Sequence, residues 1–255
     1  MSDNWPPLDT HAHIDVAINA RDLLSLRAVI FAASRSLDES RKAIRRRPRD
    51  VLTVWGLGVH PAVKDAYDSA AFSALLGETA YVGEVGLDGK VESRLAQQRE
   101  ILVSILQQLQ QRPRLTSIHS RGATVEIVEE LERTPITGAI LHWWLGDPAL
   151  TERAVDLGAY FSINASGLRR RTLIDTIPLD RLLIETDHPD GNRSARAPRQ
   201  PGNVSDVEEA LASKHDLRPA DLRAKTWQNL ATLVRTTKTG ELLPPRVRAI
   251  LESTA

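Results

Sequence analysis

The sequence of 255 residues contains no cysteine. This absence excludes disulfide bonds, thiolate metal sites and a cysteine nucleophile. A metal site in this chain must therefore use histidine, aspartate and glutamate, which suit zinc, manganese or magnesium rather than soft ions. The chain also lacks net charge, because 33 basic residues balance 33 acidic ones. That balance argues against a highly basic protein that coats nucleic acid, but it leaves room for a local basic groove.

Long apolar runs are missing as well. No stretch of about 18 apolar residues occurs, and the segment from Met1 to Leu8 has neither a basic nor an apolar block. We therefore expect no membrane-spanning helix, no secretion signal and a cytoplasmic location. The length and the 42% apolar content suit one large α/β domain. We predict a single domain, with a core over about residues 8–236 and a C-terminal extension over about 237–255.

Eight short apolar runs recur along the chain and predict eight strands. They are rich in leucine and β-branched residues without polar alternation, as in parallel strands that are covered on both faces. The runs are Leu8–His11, Ala28–Ala33, Val51–Gly58, Tyr81–Val85, Leu115–His119, Ala139–His142, Tyr160–Ile163 and Leu182–Glu185.

Stretches with helical spacing separate and follow these runs. They are Ser36–Arg47, Ala70–Gly77, Leu95–Gln111, Thr124–Arg133, Asp147–Gly158, Leu168–Thr176, Val204–His215, Pro219–Thr236 and a last segment after Pro244. Alternation of eight strands with helices predicts a (β/α)8 TIM barrel. Gly191–Gly202, which is polar and rich in arginine and proline, predicts a long loop after the eighth strand.

Histidines and acids stand at the ends of the predicted strands. In a (β/α)8 barrel the carboxyl ends of the strands meet on one face, where active sites are built. His11 and His13 occupy alternate positions of an extended segment, so both imidazoles point to the same side and can reach one ion. The six potential metal ligands are His11, His13, Glu84, His119, His142 and Asp187, and His60 follows the third run.

Each of these residues also has a purely structural interpretation. A lone His-x-His pair is a weak signal. The alternatives are backbone hydrogen bonding for His119 and His142, a capped turn for Glu84 and a helix N-cap for Asp187. Their joint occurrence, each at the same end of its own strand, favours a metal site. Outside this set, His188 is expected at the rim and His215 on a solvated helix.

These motifs occur in the order of the TatD family, which the sequence resembles over about residues 8–235. The matching segments are Asp-Thr-His-x-His-Ile-Asp, Gly-x-His-Pro, Gly-Glu-Val-Gly-Leu-Asp, Ile-His-Ser-Arg, Leu-His-Trp, Leu-Leu-Ile-Glu-Thr-Asp and Trp227-Gln228-Asn229-Leu230. The family comprises metal-dependent deoxyribonucleases on an amidohydrolase-type barrel. The resemblance therefore implies hydrolysis of phosphodiester bonds in DNA, in single strands or at 3′ ends. The combination of Gly-Leu-Asp-Gly, Ile-His-Ser-Arg and Leu-His-Trp is similar to the branch found with bacterial Qat anti-phage systems. This similarity implies partner proteins from a defence operon.

The resemblance also implies two divalent ions, Mg, Mn or Zn, with defined ligands. The first ion would be held by His11, His13, Glu84 and Asp187, and the second by Glu84, His119 and His142. One shared carboxylate would offset the repulsion between two dications about 3.5–4 Å apart. Asp187 is the candidate general base, and Glu84 is the second catalytic residue. His60 and Arg121 would contact the phosphate, although His60 could equally be a hydrogen-bonding neighbour of a ligand.

Arginine and tryptophan clusters add expectations about nucleic acid. The Arg45–Arg49 cluster precedes the third run, so we expect a solvated helix end on the far face. The clusters Arg169–Arg171 and Arg193/Arg196/Arg199 follow runs seven and eight, where they could line a groove for a nucleic-acid backbone. Trp143 and Trp144 are candidates for stacking on an unpaired base, with at least one of them expected in the core.

Two other functions stay open at this point. An amidohydrolase that cleaves a small amide, lactone or phosphoester would share the scaffold. Many such enzymes bridge their metals with a carboxylated lysine after the fourth strand, and Glu84 stands there instead. A non-catalytic subunit of a nucleic-acid-processing complex is the third hypothesis, which the complete set of metal ligands disfavours.

Overall fold

Eight parallel strands alternate with helices in the computed structural model, which describes residues 5–46, 49–63 and 67–253. All eight predicted strands are present, and the third is shorter than predicted because only its centre pairs regularly. Their bounds are β1 (Leu8–Ala12), β2 (Val29–Ala32), β3 (Thr53–Trp55), β4 (Tyr81–Gly86), β5 (Leu115–His119), β6 (Ala139–His142), β7 (Tyr160–Ile163) and β8 (Leu182–Ile184).

The helices follow the predicted pattern, with one addition. They are α1 (Ala20–Ser25), α2 (Leu37–Ile44), α3 (Ser69–Leu76), α4 (Leu95–Gln111), α5 (Thr124–Arg133), α6 (Pro148–Asp156), α7 (Arg171–Thr176), α8 (Ser205–Lys214), α9 (Pro219–Thr237) and α10 (Pro245–Glu252). The sequence pattern missed α1 because six residues are too few to show a helical period. Its start is nevertheless marked by Asn19, whose side chain accepts a hydrogen bond from the N–H of Asp22.

Backbone contacts at two seams close the strands into a ring. Regular pairing joins consecutive strands from β1 through β3 and from β4 through β8. At the first seam Leu57 pairs with Val82 beyond the end of β3. At the second seam the N–H of Asp187 donates to the carbonyl of His11 at 2.8 Å, while Thr10 Oγ1 donates to the carbonyl of Ile184 at 3.0 Å. The predicted (β/α)8 barrel is therefore confirmed.

A buried carboxylate, Asp9, holds the second seam together. It is 0% exposed, and it accepts hydrogen bonds from the N–H and the hydroxyl of Thr186 at 2.8 and 2.6 Å and from the N–H of Gly202 at 2.8 Å. Burial raises the pKa of Asp9 to about 7, although these hydrogen bonds oppose the rise. The carboxylate thus ties β1 both to the segment after β8 and to the end of the long loop.

The C-terminal helices cover the opposite end of the barrel from the strand ends. Trp227 of α9 is fully buried and donates from Nε1 to the carbonyl of Pro6 at 2.9 Å. Val247 and Leu251 of α10 belong to the same apolar cluster as Leu8 of β1. The single-domain organisation, with its extension over about 237–255, stays a prediction.

The arginine cluster at the end of α2 is only in part the solvated helix end that we predicted, because Arg45 and Arg49 are exposed whereas Arg46 is engaged. Arg46 forms an ion pair with Asp50 at 2.8 Å, donates to the carbonyl of Val16 at 3.0 Å and lies 5.3 Å from the ring centre of Trp55. Its guanidinium therefore joins the end of α2 to β3, to the residue Asp50 before that strand and to the segment after β1. Arg47 and Pro48 of this cluster lie outside the described residues.

Asn229 of α9 provides a test of how the helix is anchored to the barrel. Its side-chain amide donates to the carbonyls of Leu179 and Leu182, each at 2.8 Å, and it is 3% exposed. We expect Asn229→Ala to lower the free energy of unfolding by about 1–3 kcal/mol, because two buried carbonyls lose their donor. Gln228→Ala, on the exposed side of the same helix, should change it by less than about 0.5 kcal/mol. Equal urea midpoints for both variants would contradict this anchoring role.

Candidate metal centre

The six predicted ligands converge at the carboxyl ends of the strands. They come from β1 and the residue after its end, from β4, β5 and β6, and from the segment after β8. Five of them line a cavity of about 520 Å³, and His11 lies fully buried beneath it. The residues brought together are His11, His13, Glu84, His119, His142 and Asp187. Their convergence follows from barrel geometry, because sequence separation does not matter once the strands are in register.

Four ligand atoms form a first group. Glu84 Oε2 lies 3.7 Å from His11 Nε2 and 3.1 Å from His13 Nε2. Asp187 Oδ1 lies 3.7 and 3.8 Å from the same two nitrogens. Ligands placed about 2.1 Å from an ion at the corners of a tetrahedron are about 3.4 Å apart. The four nitrogen–oxygen distances are therefore close to the spacing of a tetrahedral site.

A second group uses the other oxygen of the same carboxylate. Glu84 Oε1 lies 2.8 Å from His142 Nε2 and contacts His119 Nδ1, and these two nitrogens are 3.3 Å apart. Three protein ligands with room for a further one are the arrangement expected of a catalytic site. Glu84 thus presents one oxygen to each group.

Two buried polar atoms at the centre indicate that a cation fits here. His11 Nε2 and Glu84 Oε2 are buried and have no hydrogen-bond partner among the described residues. Leaving such atoms unpaired is costly, whereas one divalent ion would satisfy both. The residues that are present fit the metal that the sequence predicts.

The second ring nitrogens of His13 and His11 support the same assignment, whereas those of His119 and His142 face carboxylates without a hydrogen bond to any described residue. A histidine that binds a metal normally donates its other N–H to an acceptor, which fixes the tautomer. His13 Nδ1 lies 3.2 Å from the carbonyl of Ala33, and His11 Nδ1 lies 2.7 Å from Ser117 Oγ. Carboxylates face the other two, since Asp88 Oδ2 is 3.5 Å from His119 Nε2 and Glu185 Oε1 is 3.8 Å from His142 Nδ1.

His60 has the opposite arrangement. Its Nδ1 accepts a hydrogen bond from the N–H of Ala62 at 3.0 Å, so in the neutral ring the proton lies on Nε2. That Nε2 faces the cavity, 3.5 Å from Glu84 Oε2. Burial lowers the pKa of His60 to about 4, which keeps the ring neutral. A neutral imidazole with a proton on Nε2 cannot coordinate through that atom, but it can donate a hydrogen bond.

The cluster is electrostatically arranged around Glu84. Burial alone would raise the pKa of Glu84, but the facing rings of His142 and His119 outweigh it, so the pKa lies well below its usual range. Burial alone would lower the pKa of His142, but Glu84 and then Glu185 raise it well above its usual value. Positive charge, from protons or from metal ions, is therefore favoured between these groups.

The close approach of β4 to β5 positions Glu84 at the centre. Gly86 has φ of 145°, and a Cβ there would lie 2.1 Å from the carbonyl oxygen of His119, so only glycine lets β4 approach β5 this closely. At Asp187 the carbonyl, rather than the carboxylate, accepts from Asp190 and Gly191. The next α-helix, α8, begins only at Ser205, so the N-cap alternative is wrong.

The lining of the cavity includes both residues that were predicted to contact phosphate. His60 and Arg121 both line the cavity, as expected. Arg35 lines it too and was missed, although it follows β2 and the same strand-end argument would have found it. Asp88 and Glu185 were also missed, because their role is to face His119 and His142 and sequence spacing does not reveal such a contact.

Two arginines of the predicted basic groove after strands seven and eight are ion-paired. Arg193 pairs with Asp190, and Arg196 pairs with Glu209 at 3.1 Å. Arg169 donates to Ser194 Oγ at 2.8 Å, and the side chain of Arg171 lies outside the described residues. By contrast, the guanidinium groups of Arg35 and Arg121 make no ion pair with any described residue. Arg170 and Arg199 are exposed and make no ion pair with any described residue either, so unpaired cations lie both in the cavity and in the segments after β7 and β8.

Comparison with known proteins assigns this site to a family. A model of the TatD related DNase family matches residues 8–235. The uncharacterized metal-dependent hydrolase YcfH of Escherichia coli is 32% identical over 199 residues, which cover 71% of this chain and 73% of that protein. The 3'-5' ssDNA/RNA exonuclease TatD of Cronobacter sakazakii is 31% identical over 218 residues, covering 78% and 83%.

A solved structure shows the same fold. The crystal structure of YJJV, a TatD homologue from Escherichia coli, matches with a TM-score of 0.78 at 20% identity and covers 89% of this chain and 96% of that one. The chain belongs to the TatD related DNase family. The prediction of a metal-dependent hydrolase that acts on ester bonds is confirmed. None of the helices in the described part of the chain has the length and apolar character needed to cross a membrane.

Metal binding should be visible as thermal stabilisation. An ion that binds only the folded state at about 100 times its Kd raises Tm by about 5–10 °C in a domain of this size. We expect this shift when Mn²⁺ or Zn²⁺ is added to chelator-treated protein, and we expect Glu84→Gln to abolish most of it. Glu100→Gln makes the same change at an exposed position of α4 and should keep the full shift. An undiminished shift in Glu84→Gln would contradict the assignment of this cluster.

Proposed function

We propose that the protein is a two-metal phosphodiesterase that removes nucleotides from the ends of single-stranded DNA. The observation that carries this proposal is the division of Glu84, whose two oxygens face two separate groups of imidazoles. The substrate class is supported by the relative named as a 3'-5' ssDNA/RNA exonuclease. The choice of DNA over RNA rests on the family description alone.

The ligand assignment follows the two groups of atoms. His11, His13, Glu84 and Asp187 would hold one divalent ion, and Glu84, His119 and His142 would hold the other. When bound, the two ions supply the charge that activates water and polarises the phosphate. Mg, Mn and Zn all accept this set of imidazole and carboxylate ligands, so availability decides among them.

Asp187 is the proposed general base. Burial raises the pKa of its carboxyl group, but positive charge beside it, from His142 or from an ion, lowers that pKa and favours the ionised form that can accept a proton. Asp187 takes the proton of the attacking water as the oxygen of that water forms a bond to phosphorus. The bond between phosphorus and the leaving sugar oxygen then breaks, and the proton held on Asp187 returns to that oxygen.

His60, Arg121 and Arg35 are the proposed phosphate contacts. The Nε2–H of His60 can donate to a phosphate oxygen without carrying charge. The two guanidinium groups add positive charge and can donate in a bidentate manner. This explains how a cavity with several carboxylates can still attract an anionic substrate.

Nuclease activity is the first test. With Mg²⁺, Mn²⁺ or Zn²⁺ the protein should shorten end-labelled single-stranded DNA. We expect His119→Ala to lower kcat/KM at least about 100-fold, because one ligand of the second group is lost. His215→Ala, which removes a histidine outside the cluster, should be close to wild type. Hydrolysis of small amides or lactones without hydrolysis of DNA would favour the amidohydrolase alternative. Binding of DNA without any hydrolysis would favour the non-catalytic alternative.

The phosphate contacts have a separate test. Arg35→Ala and Arg121→Ala should each weaken DNA binding and reduce the slope of log affinity against log salt by about 0.7, the value for one phosphate of a single strand. Arg196→Ala should leave the slope unchanged, because that guanidinium is already paired with Glu209. Unchanged slopes for both cavity arginines would remove them from the binding site.

A role in anti-phage defence, with partner proteins from the same operon, belongs to this proposal and rests only on motif resemblance. The cytoplasmic location has the same status. Both stay predictions, and the genes next to the coding sequence would distinguish a defence system from a housekeeping nuclease.

A further inference from the structure

The indole of Trp143 differs from those of the other tryptophans because it has no hydrogen-bond or ring partner in the described part of the chain. Trp144, its neighbour, is 1% exposed and donates from Nε1 to Thr151 Oγ1 at 2.9 Å. Ring contacts or hydrogen bonds likewise hold Trp5, Trp55 and Trp227. The indole of Trp143 makes no hydrogen bond or ring contact with any described residue, and it is half-buried in the wall of the reaction cavity.

Backbone contacts fix the position of the main chain at Trp143. Trp143 has φ of 40°, a left-handed conformation that side chains with a Cβ rarely adopt. Its N–H donates to Glu185 Oε1 at 3.0 Å, and Glu185 is itself 0% exposed and accepts from Asn164 at 3.0 Å. Non-glycine residues held in this conformation cluster at ligand-binding sites. The same carboxylate faces His142, so the position of Trp143 is coupled to the metal centre.

The cavity around Trp143 combines two kinds of chemistry. Unpaired guanidinium groups of Arg35 and Arg121 line it, and they suit a phosphate. Trp143 and Leu145 provide apolar wall. A flat aromatic face beside a phosphate site matches a nucleotide, whose base is planar and lies next to its phosphate.

We propose that Trp143 is the stacking platform for one unpaired nucleobase beside the scissile phosphate, and that this contact selects single-stranded ends over paired ones. An unpaired base is free to turn onto the indole, whereas a base in a duplex must first lose its partner and its neighbours. Because every base has a π face, this contact gives selection for strandedness without selection for sequence. The inference rests on the proposed nuclease function and adds the residue that determines its specificity.

Abasic substrates provide the decisive test. We would compare kcat/KM, with Mg²⁺ or Mn²⁺, for single-stranded oligonucleotides that carry either natural nucleotides or one abasic residue at the last or penultimate position of each end. The wild type should cleave the natural strand about 10-fold better than the best-matched abasic strand. Trp143→Ala should lose about the same factor on the natural strand and show no further loss on the abasic one. Trp143→Phe should retain most of the preference.

Two control variants separate stacking from general packing. Trp143→Leu keeps apolar bulk without a π face and should behave like Trp143→Ala. Leu145→Ala truncates another wall residue and should keep the full preference for natural over abasic strands, whatever its overall rate. A preference that persists in Trp143→Ala, or that Trp143→Leu supports as well as Trp143→Phe, would overturn the proposal.

Fluorescence gives a readout that does not depend on turnover. An oligonucleotide with phosphorothioate linkages at its ends should quench tryptophan emission of the wild type on binding, and Trp143→Phe should remove that quenching while binding is retained. Equal quenching in both proteins would count against stacking on Trp143.

If the wild type cleaves no nucleic acid with any metal, both the proposed function and this inference fail. Cleavage with an unchanged abasic preference in Trp143→Ala overturns this inference alone.

Discussion

The structure depends on one buried negative charge, the carboxylate of Glu84. It is 1% exposed, and imidazole rings surround it. A charge in such a position is stable only if positive charge is held beside it. The close approach of β4 to β5 at Gly86 brings His119 beside Glu84, and Asp88 faces the other nitrogen of that ring. The candidate metal centre and the packing of the carboxyl ends of β1, β4, β5 and β6 are therefore parts of the same electrostatic arrangement.

The second ring nitrogens divide the histidines into two kinds. His13 can offer a lone pair to the cavity because a backbone carbonyl faces its Nδ1. His60 offers a proton instead, because a backbone N–H faces its Nδ1. The same side chain thus supplies a ligand in one place and a hydrogen-bond donor a few ångströms away. The difference is set by main-chain groups, which substitutions in the cavity leave unchanged.

Much of this could be predicted from the sequence, and the reason is geometric. Buried parallel strands have a clear apolar signature, and the barrel brings their ends together, so His11 and Asp187 could be placed at one centre although 176 positions separate them. The ion pairing of the arginines in the loop after β8 could not be predicted in this way. Whether Arg196 is free depends on Glu209 folding back onto it, and no local pattern records that contact. No local pattern records either that Trp143 is half-buried beside the buried Trp144 or that its φ is 40°.

The closure of the ring through Asp9 has a consequence for the order in which the protein is made. Asp9 is synthesised early, but its partners Thr186 and Gly202 are in the last third of the chain to leave the ribosome. Until they arrive, β1 has no neighbour on one side, and the histidines that follow it lack Asp187. Contacts between such distant residues form slowly. A chain that stops before β8 would therefore lack a complete metal site, so an unfinished copy of this hydrolase would be an inactive one.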